Sequence, residues 1–209
     1  MSYVDAFYDQ GKDIVTVVER VDGQRIIKEL KPEHNFYYGD PQGKSKSIFG
    51  HPVTEVKCQS IKDFKKNIGI NKHNGLFESD IRPINKTLAK NYLGIEPPKL
   101  QTAFFDIEVD FDPLRGYSSP EDPFTPITAI GVYLQWMDAM ICLAVPPKTL
   151  TWEQAHEVAK PLPEVMLFKT EKEMLNAFLE VIEDADVLSG WNSEGYDIPY
   201  TVRRIIKTM

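Results

Sequence analysis

The sequence predicts an α/β protein, α+β overall, with a β-rich first part and a layered second part. Three observations predict it. Clusters of β-branched and aromatic residues, separated by turn signals, fill residues 1–98. The stretch 94–99 (GIEPPK) then reads as a linker, because Pro97-Pro98 continues neither a helix nor an interior strand. Residues 99–209 run as three strands, a helix, a fourth strand and a helix, the order of a layered α/β domain.

In the first part, β-formers occupy 4–8 and 14–20, and Asp22-Gly23 gives a hairpin signal before a strand at 25–30. Phe36 to Tyr38 reads as a short aromatic strand, and 40–50 (DPQGKSKSIFG) as an exposed turn region. Ser60 as N-cap, Asp63 in the first turn, and Ile61, Phe64 and Ile68 on one face predict a helix over 61–68. In the second part, 102–109 (TAFFDIEV) is an apolar run broken only by two acids. A loop rich in Pro, Asp and Ser follows at 110–126, then a hairpin of 127–136 and 140–145. Thr151 with Gln154, and Thr170 with Glu173, both fit the capping box. The second opens an amphipathic helix, with Met174, Leu175, Phe178, Leu179 and Ile182 at helical spacing. A short strand at 187–191, with Trp191 expected in the core, precedes a last helix with Pro199 in its first turn.

Composition excludes some classes. No apolar run approaches the roughly 20 residues a membrane helix needs, and the opening MSYVDAFYDQ is unlike a signal peptide. Cys58 and Cys142 are too few and too far apart for a disulfide framework or zinc knuckle; two packed thiols in a cytoplasmic protein are expected. The net charge of −7 averages unlike halves, +3 over residues 1–100 and −10 over 101–209. A basic module beside an acidic one suits phosphate contacts in the first and cation-requiring carboxylates in the second, and it equally suits solvated faces that merely differ.

The chemistry concentrates in two places. Asp106 and Glu108 lie at i and i+2 of a strand and therefore project from one face. Two like charges in a poorly solvated place raise each other's pKa, a conflict that a hard divalent cation such as Mg²⁺ or Mn²⁺ removes. An edge strand with both acids in water is the other reading, made less comfortable by Phe104, Phe105, Ile107 and Val109 around them. The second place is 189–200 (SGWNSEGYDIPY), where Asp197 stands ahead of a helix, either as its cap or as a third carboxylate.

These strings resemble a family. FFDIEV matches the first exonuclease motif of family B DNA polymerases, and GWNSEGYDIPY closely matches the second, Asn-x-x-x-(Phe/Tyr)-Asp. LFKTEKEMLNAFLEVI and FESDIRPINKTLAKNYLG are similar to the flanking segments of the T-even bacteriophage members. The resemblance implies a β-rich N-terminal domain over 1–98 and an RNase H-like (DnaQ-type) 3′→5′ proofreading exonuclease domain over 99–209. It makes Asp106, Glu108 and Asp197 the catalytic metal ligands of a two-metal Mg²⁺ or Mn²⁺ site. It places Phe105, Asn192 and Tyr196 beside the single-stranded 3′ end of a DNA primer, and the first domain on template DNA or, in some phage members, RNA. Lys57, Lys62, Lys65, Lys66 and Lys72 would then line phosphates, or else form a solvated face. His34, His51, His73 and His156 have no ligand spacing and read as structural or surface residues.

The third motif of that family, Tyr-x-x-x-Asp, and the polymerase palm have no counterpart here, because the sequence ends 12 residues after Asp197. The expectation is a piece of a nucleotidyltransferase, excised or naturally split, weak or inactive by itself. The alternative is a non-catalytic nucleic-acid-binding or assembly subunit that works only with the remaining polymerase polypeptide.

Overall fold

The computed structural model describes residues 2–209. The chain divides into two compact units, the first ending at Lys99 and the second beginning at Leu100.

In the first unit β1 (Ser2–Asp9), β2 (Ile14–Val21) and β3 (Gln24–Leu30) form an antiparallel meander. Asp22 (φ 51) and Gly23 (φ 83) are both left-handed, and Val21 pairs with Gln24. That is the two-residue turn whose twist matches the strands it joins. A second sheet is built from β4 (His34–Gly39), β5 (Ser45–Lys46), β6 (Pro52–Cys58) and β7 (Leu76–Phe77), in the order β5-β6-β4-β7. Between β6 and β7 runs α1 (Ile61–Asn71), capped by the Ser60 side chain accepting from the Asp63 N–H. Phe64 on α1 packs edge-on against Phe36. A helix absent from the sequence reading, α2 (Pro83–Tyr92), lays Ile84 and Leu88 on Val15 and Val17 of the meander.

His34 is structural, as its spacing suggested. Its Nε2 meets Asp13 Oδ1 at 2.7 Å, and the Tyr8 hydroxyl donates to the same oxygen at 2.7 Å. Burial and that bond to Asp13 push the Tyr8 hydroxyl up to about 12. Of the five lysines, Lys57 pairs with Glu55 at 3.6 Å, and the other four are exposed.

The second unit is a five-stranded sheet, order β11-β10-β9-β8-β12. Its centre is the antiparallel run β8 (Thr102–Val109), β9 (Ile127–Leu134) and β10 (Ala139–Ala144). After β10 come α3 (Trp152–Ala159), β11 (Val165–Leu167), α4 (Glu171–Val181), β12 (Val187–Ser189) and α5 (Asp197–Thr208). The outer strands β11 and β12 run parallel to their neighbours, as strands reached through a helix do. Both capping boxes form, at Thr151–Gln154 and Thr170–Glu173. Met174, Leu175 and Phe178 of α4 and Tyr200 of α5 pack on Ala103, Phe105, Ile107, Ile130, Val132 and Leu143 of the sheet. Trp191 departs from expectation. The strand stops at Ser189, so Trp191 falls in the following turn and is 92% exposed. Among the described residues no helix is long and apolar enough to cross a membrane.

Candidate active site

Strand alternation builds the first half of the site. Ala103, Phe105 and Ile107 are buried under α4 and α5, which leaves Phe104, Asp106 and Glu108 exposed on the opposite face of β8. Phe105 therefore corrects the expectation that it meets substrate. It is 4% exposed and packs against Phe178 with ring centroids 5.4 Å apart, so its ring faces the core and not the carboxylate face. The exposed aromatic on the carboxylate face is its neighbour Phe104, at 41%, with its ring 6.4 Å from that of Tyr133.

The second half arrives along β12, which pairs with β8 only over Thr102 to Phe104. At Gly190 the chain passes against β8 so closely that a Cβ would lie 2.3 Å from the Phe105 carbonyl oxygen. No other residue type permits that approach. The chain then reverses at Asn192 (φ 53), whose carbonyl accepts the N–H groups of Gly195 at 2.9 Å and Tyr196 at 3.0 Å. This reversal delivers Asp197 as the first residue of α5, where it does not act as the cap. The cap position falls to Tyr196, which makes no side-chain cap bond. Asp197 Oδ1 instead accepts the Ile107 N–H at 3.3 Å. Its carboxylate thus takes the place along β8 that a longer β12 would occupy.

Asp197 is 4% exposed, and its carboxyl is raised above the ordinary range, chiefly by burial, with the Asp106 charge adding to the effect. The donated N–H bonds from Ile107 and its own backbone oppose that rise without cancelling it. In the folded state this carboxyl holds its proton more tightly than in the unfolded chain, so ionising it costs stability as pH rises through and above the carboxylate range. Asp197→Asn is therefore expected to raise the unfolding midpoint at pH 7. The gain should shrink as pH falls from the raised folded-state value toward the unfolded value of about 3.9, and be absent below it, where both states of the wild type are protonated. Denaturation followed by tryptophan fluorescence reads this unit alone, because Trp136, Trp152 and Trp191 all follow Leu100.

The structure thus brings Asp197 against the backbone between Asp106 and Glu108. It does not converge them: among the described residues no three His, Cys, Asp or Glu side chains are grouped to hold a metal ion. The donor chemistry still fits a hard divalent cation, with carboxylate oxygens on an exposed strand face and a like-charge conflict between Asp106 and Asp197 that a cation would relieve.

Asn192 is exposed, and its side chain lies against Gly195. Tyr196 is half-buried, its ring stacked on that of Tyr200 at 5.4 Å and 24°, its hydroxyl donating to the Ser118 carbonyl at 3.2 Å. Burial, then the neighbouring Tyr200 and Asp197, raises its hydroxyl pKa. The sequence reading missed both Gly190 and Ser118. Nothing local marks Ser118, whereas Gly190 stands in the Ser-Gly-Trp-Asn turn directly after the strand.

A family model for the exonuclease domain of family B DNA polymerases matches residues 51–208. A DNA-directed DNA polymerase of Escherichia phage RB69 is 26% identical over 212 residues, covering 88% of this chain and 23% of that protein. A DNA polymerase of Methanocaldococcus jannaschii is 24% identical over 167 residues, 76% of this chain and 9% of that one. One from Pyrococcus glycovorans is 37% identical over 62 residues, 29% and 7%. The chain spans less than a quarter of the length of these relatives.

Proposed function

The chain belongs to the family B DNA polymerases through their exonuclease domain, and from that premise we propose that it carries part of a metal-dependent 3′→5′ proofreading site. One observation carries the reading: Asp197, 90 residues along the chain from Ile107, bonds to the strand position between Asp106 and Glu108. An ordinary N-cap aspartate would have no reason to be there.

In this reading Asp106, Glu108 and Asp197 hold Mg²⁺ or Mn²⁺ on an RNase H-like sheet. Cations held by these three carboxylates would supply activation of a water and charge stabilisation at the departing 3′ oxygen of an in-line displacement. The acidic unit needs them for a second reason, since a phosphodiester approaching Asp106 and Glu108 meets like charge. Asn192 and the fixed ring of Tyr196 receive the terminal nucleotide. Stacking, worth about 1–3 kcal/mol per base, suits a frayed single strand over a paired end. The first unit contacts template through its exposed lysines, a sequence-independent hold that weakens with salt. The remaining polymerase polypeptide and the primer–template DNA are the partners, in the cytoplasm of the cell where that polymerase works.

The test is a 5′-labelled single-stranded oligonucleotide, with Mg²⁺ or Mn²⁺, with and without the rest of the polymerase supplied. The reading expects a ladder shortened one nucleotide at a time from the 3′ end. Internal cuts, or shortening from the 5′ end, would overturn it. A second reading has support in the unconverged carboxylates: a binding or assembly subunit whose site closes only in a complex. It predicts shortening only when the other polypeptide is present.

A further inference from the structure

We propose that Tyr200 is a positioning residue, whose buried hydroxyl clamps the loop following the carboxylate strand onto α5 and so fixes the ring of Tyr196. The proposal rests on the reading above, in which Tyr196 meets the 3′ end.

Tyr200 is fully buried, at 0% exposure. Phenylalanine would serve that position unless the hydroxyl had a use, and buried tyrosine hydroxyls find partners. This one has three. It donates to the Thr125 carbonyl at 2.8 Å, and it lies 2.7 Å from Ser118 Oγ and 2.9 Å from Thr125 Oγ1. Ser118 Oγ and Thr125 Oγ1 also bond each other. A closed cluster of hydroxyls therefore joins α5 to both ends of the segment 118–125.

Within the loop, Arg115 pairs with Asp122 at 2.6 Å and lies over the Phe124 ring at 3.6 Å, contacts that shape the segment without tying it to α5. Its buried residues are Ser118, Pro120, Pro123 and Thr125, and Phe111, Leu114 and Tyr117 before it are exposed. Further ties come from α5 as well: Arg203 donates to the Pro120 carbonyl and Arg204 to the Pro123 carbonyl. The loop leaves β8 after Val109, one residue beyond Glu108, and its Ser118 carbonyl is the acceptor for Tyr196. Tyr196 is thus gripped at its hydroxyl by the loop and at its face by the Tyr200 ring, and the hydroxyl of Tyr200 secures the loop that makes the first grip.

Tyr200→Phe keeps the ring and its stacking while deleting the clamp. In the 209-residue chain, with ¹³C-labelled tyrosine, the Tyr196 ring is expected to change from slow to fast flipping. Affinity for a short oligothymidylate with a free 3′ end, read by fluorescence anisotropy in Ca²⁺, should fall about tenfold, the scale of one buried hydrogen bond lost. Affinity for Mn²⁺ should stay unchanged. A stability-matched core variant, Leu143→Val, should alter neither the Tyr196 signal nor oligonucleotide affinity.

An unchanged Tyr196 signal in Tyr200→Phe overturns the proposal. So does a freed ring with unchanged affinity, or an affinity loss equalled by Leu143→Val. A wild-type chain that binds no 3′ end, while the substitution still frees the ring, supports the clamp and defeats the nuclease reading instead.

Discussion

Replacing Asp106 with alanine is expected to cut metal-dependent removal of 3′-terminal nucleotides by about a thousandfold or more, without lowering the stability of the fold. In the proposed reading the rate loss follows from removing a carboxylate that would hold the cations. Metal stabilisation of a phosphoryl transition state is worth several kcal/mol, and each 1.36 kcal/mol is about tenfold in rate. Stability should hold because Asp106 is exposed on the open face of β8 and its charge raises the carboxyl of Asp197. Deleting it relieves a repulsion. Rates on a single-stranded oligonucleotide and tryptophan-monitored unfolding separate the two effects. A variant that loses activity only in step with stability would show that Asp106 supports the fold and not the chemistry.

Arg204→Met is expected to give a large stability loss in the second unit, about 3–5 kcal/mol, the cost of leaving a buried charge without its partner. Arg204 Nε meets Glu171 Oε1 at 2.8 Å, and Nη2 pairs with Oε2. The two side chains are 8% and 11% exposed. Glu171 Oε1 also accepts the Ile127 N–H at 2.8 Å, and Arg204 Nη1 donates to the Pro123 carbonyl at 3.0 Å. The pair thus joins the start of α4, the start of β9 and the loop before it to α5. Without Arg204 the carboxylate of Glu171 is left with one backbone donor in an apolar setting. Adding Glu171→Leu removes that orphaned charge and should recover part of the loss, the Ile127 N–H and the Pro123 carbonyl still lacking the side chains they met. Urea unfolding of the single and double variants checks both statements.

The parts of this fold that were legible in the sequence are those decided by near neighbours. The Asp22-Gly23 turn, the Ser60 cap, the two capping boxes and the apolar stripe of α4 need only a few consecutive residues to be recognised. So did the shared face of Asp106 and Glu108. The same period of two also puts Phe105 on the opposite face, so its burial was readable and was overridden by its place in the motif. Other features needed partners distant in sequence. Helix α2 has no side-chain cap at Arg82 and places Lys86 in a buried position, so its pattern is weak until the meander supplies a floor. Strand β6 opens on a proline and carries polar residues along its length, and β11 has only three residues. Trp191 reads as core when the strand is extended to it, but β12 ends at Ser189, where Gly190 passes against the Phe105 carbonyl of β8. The destination of Asp197 was the most important unknown. Locally it resembles a cap, and only the empty edge of β8 beyond Phe104 explains why its carboxylate turns to Ile107.

The most direct measurement is anomalous diffraction from crystals of the chain grown with Mn²⁺ and a short single-stranded oligonucleotide. Manganese is expected about 2.1 Å from carboxylate oxygens of both Asp106 and Asp197, next to the terminal phosphodiester. Manganese bound elsewhere, or Asp197 still turned wholly to the Ile107 amide with the 3′ end in place, would contradict the proofreading reading.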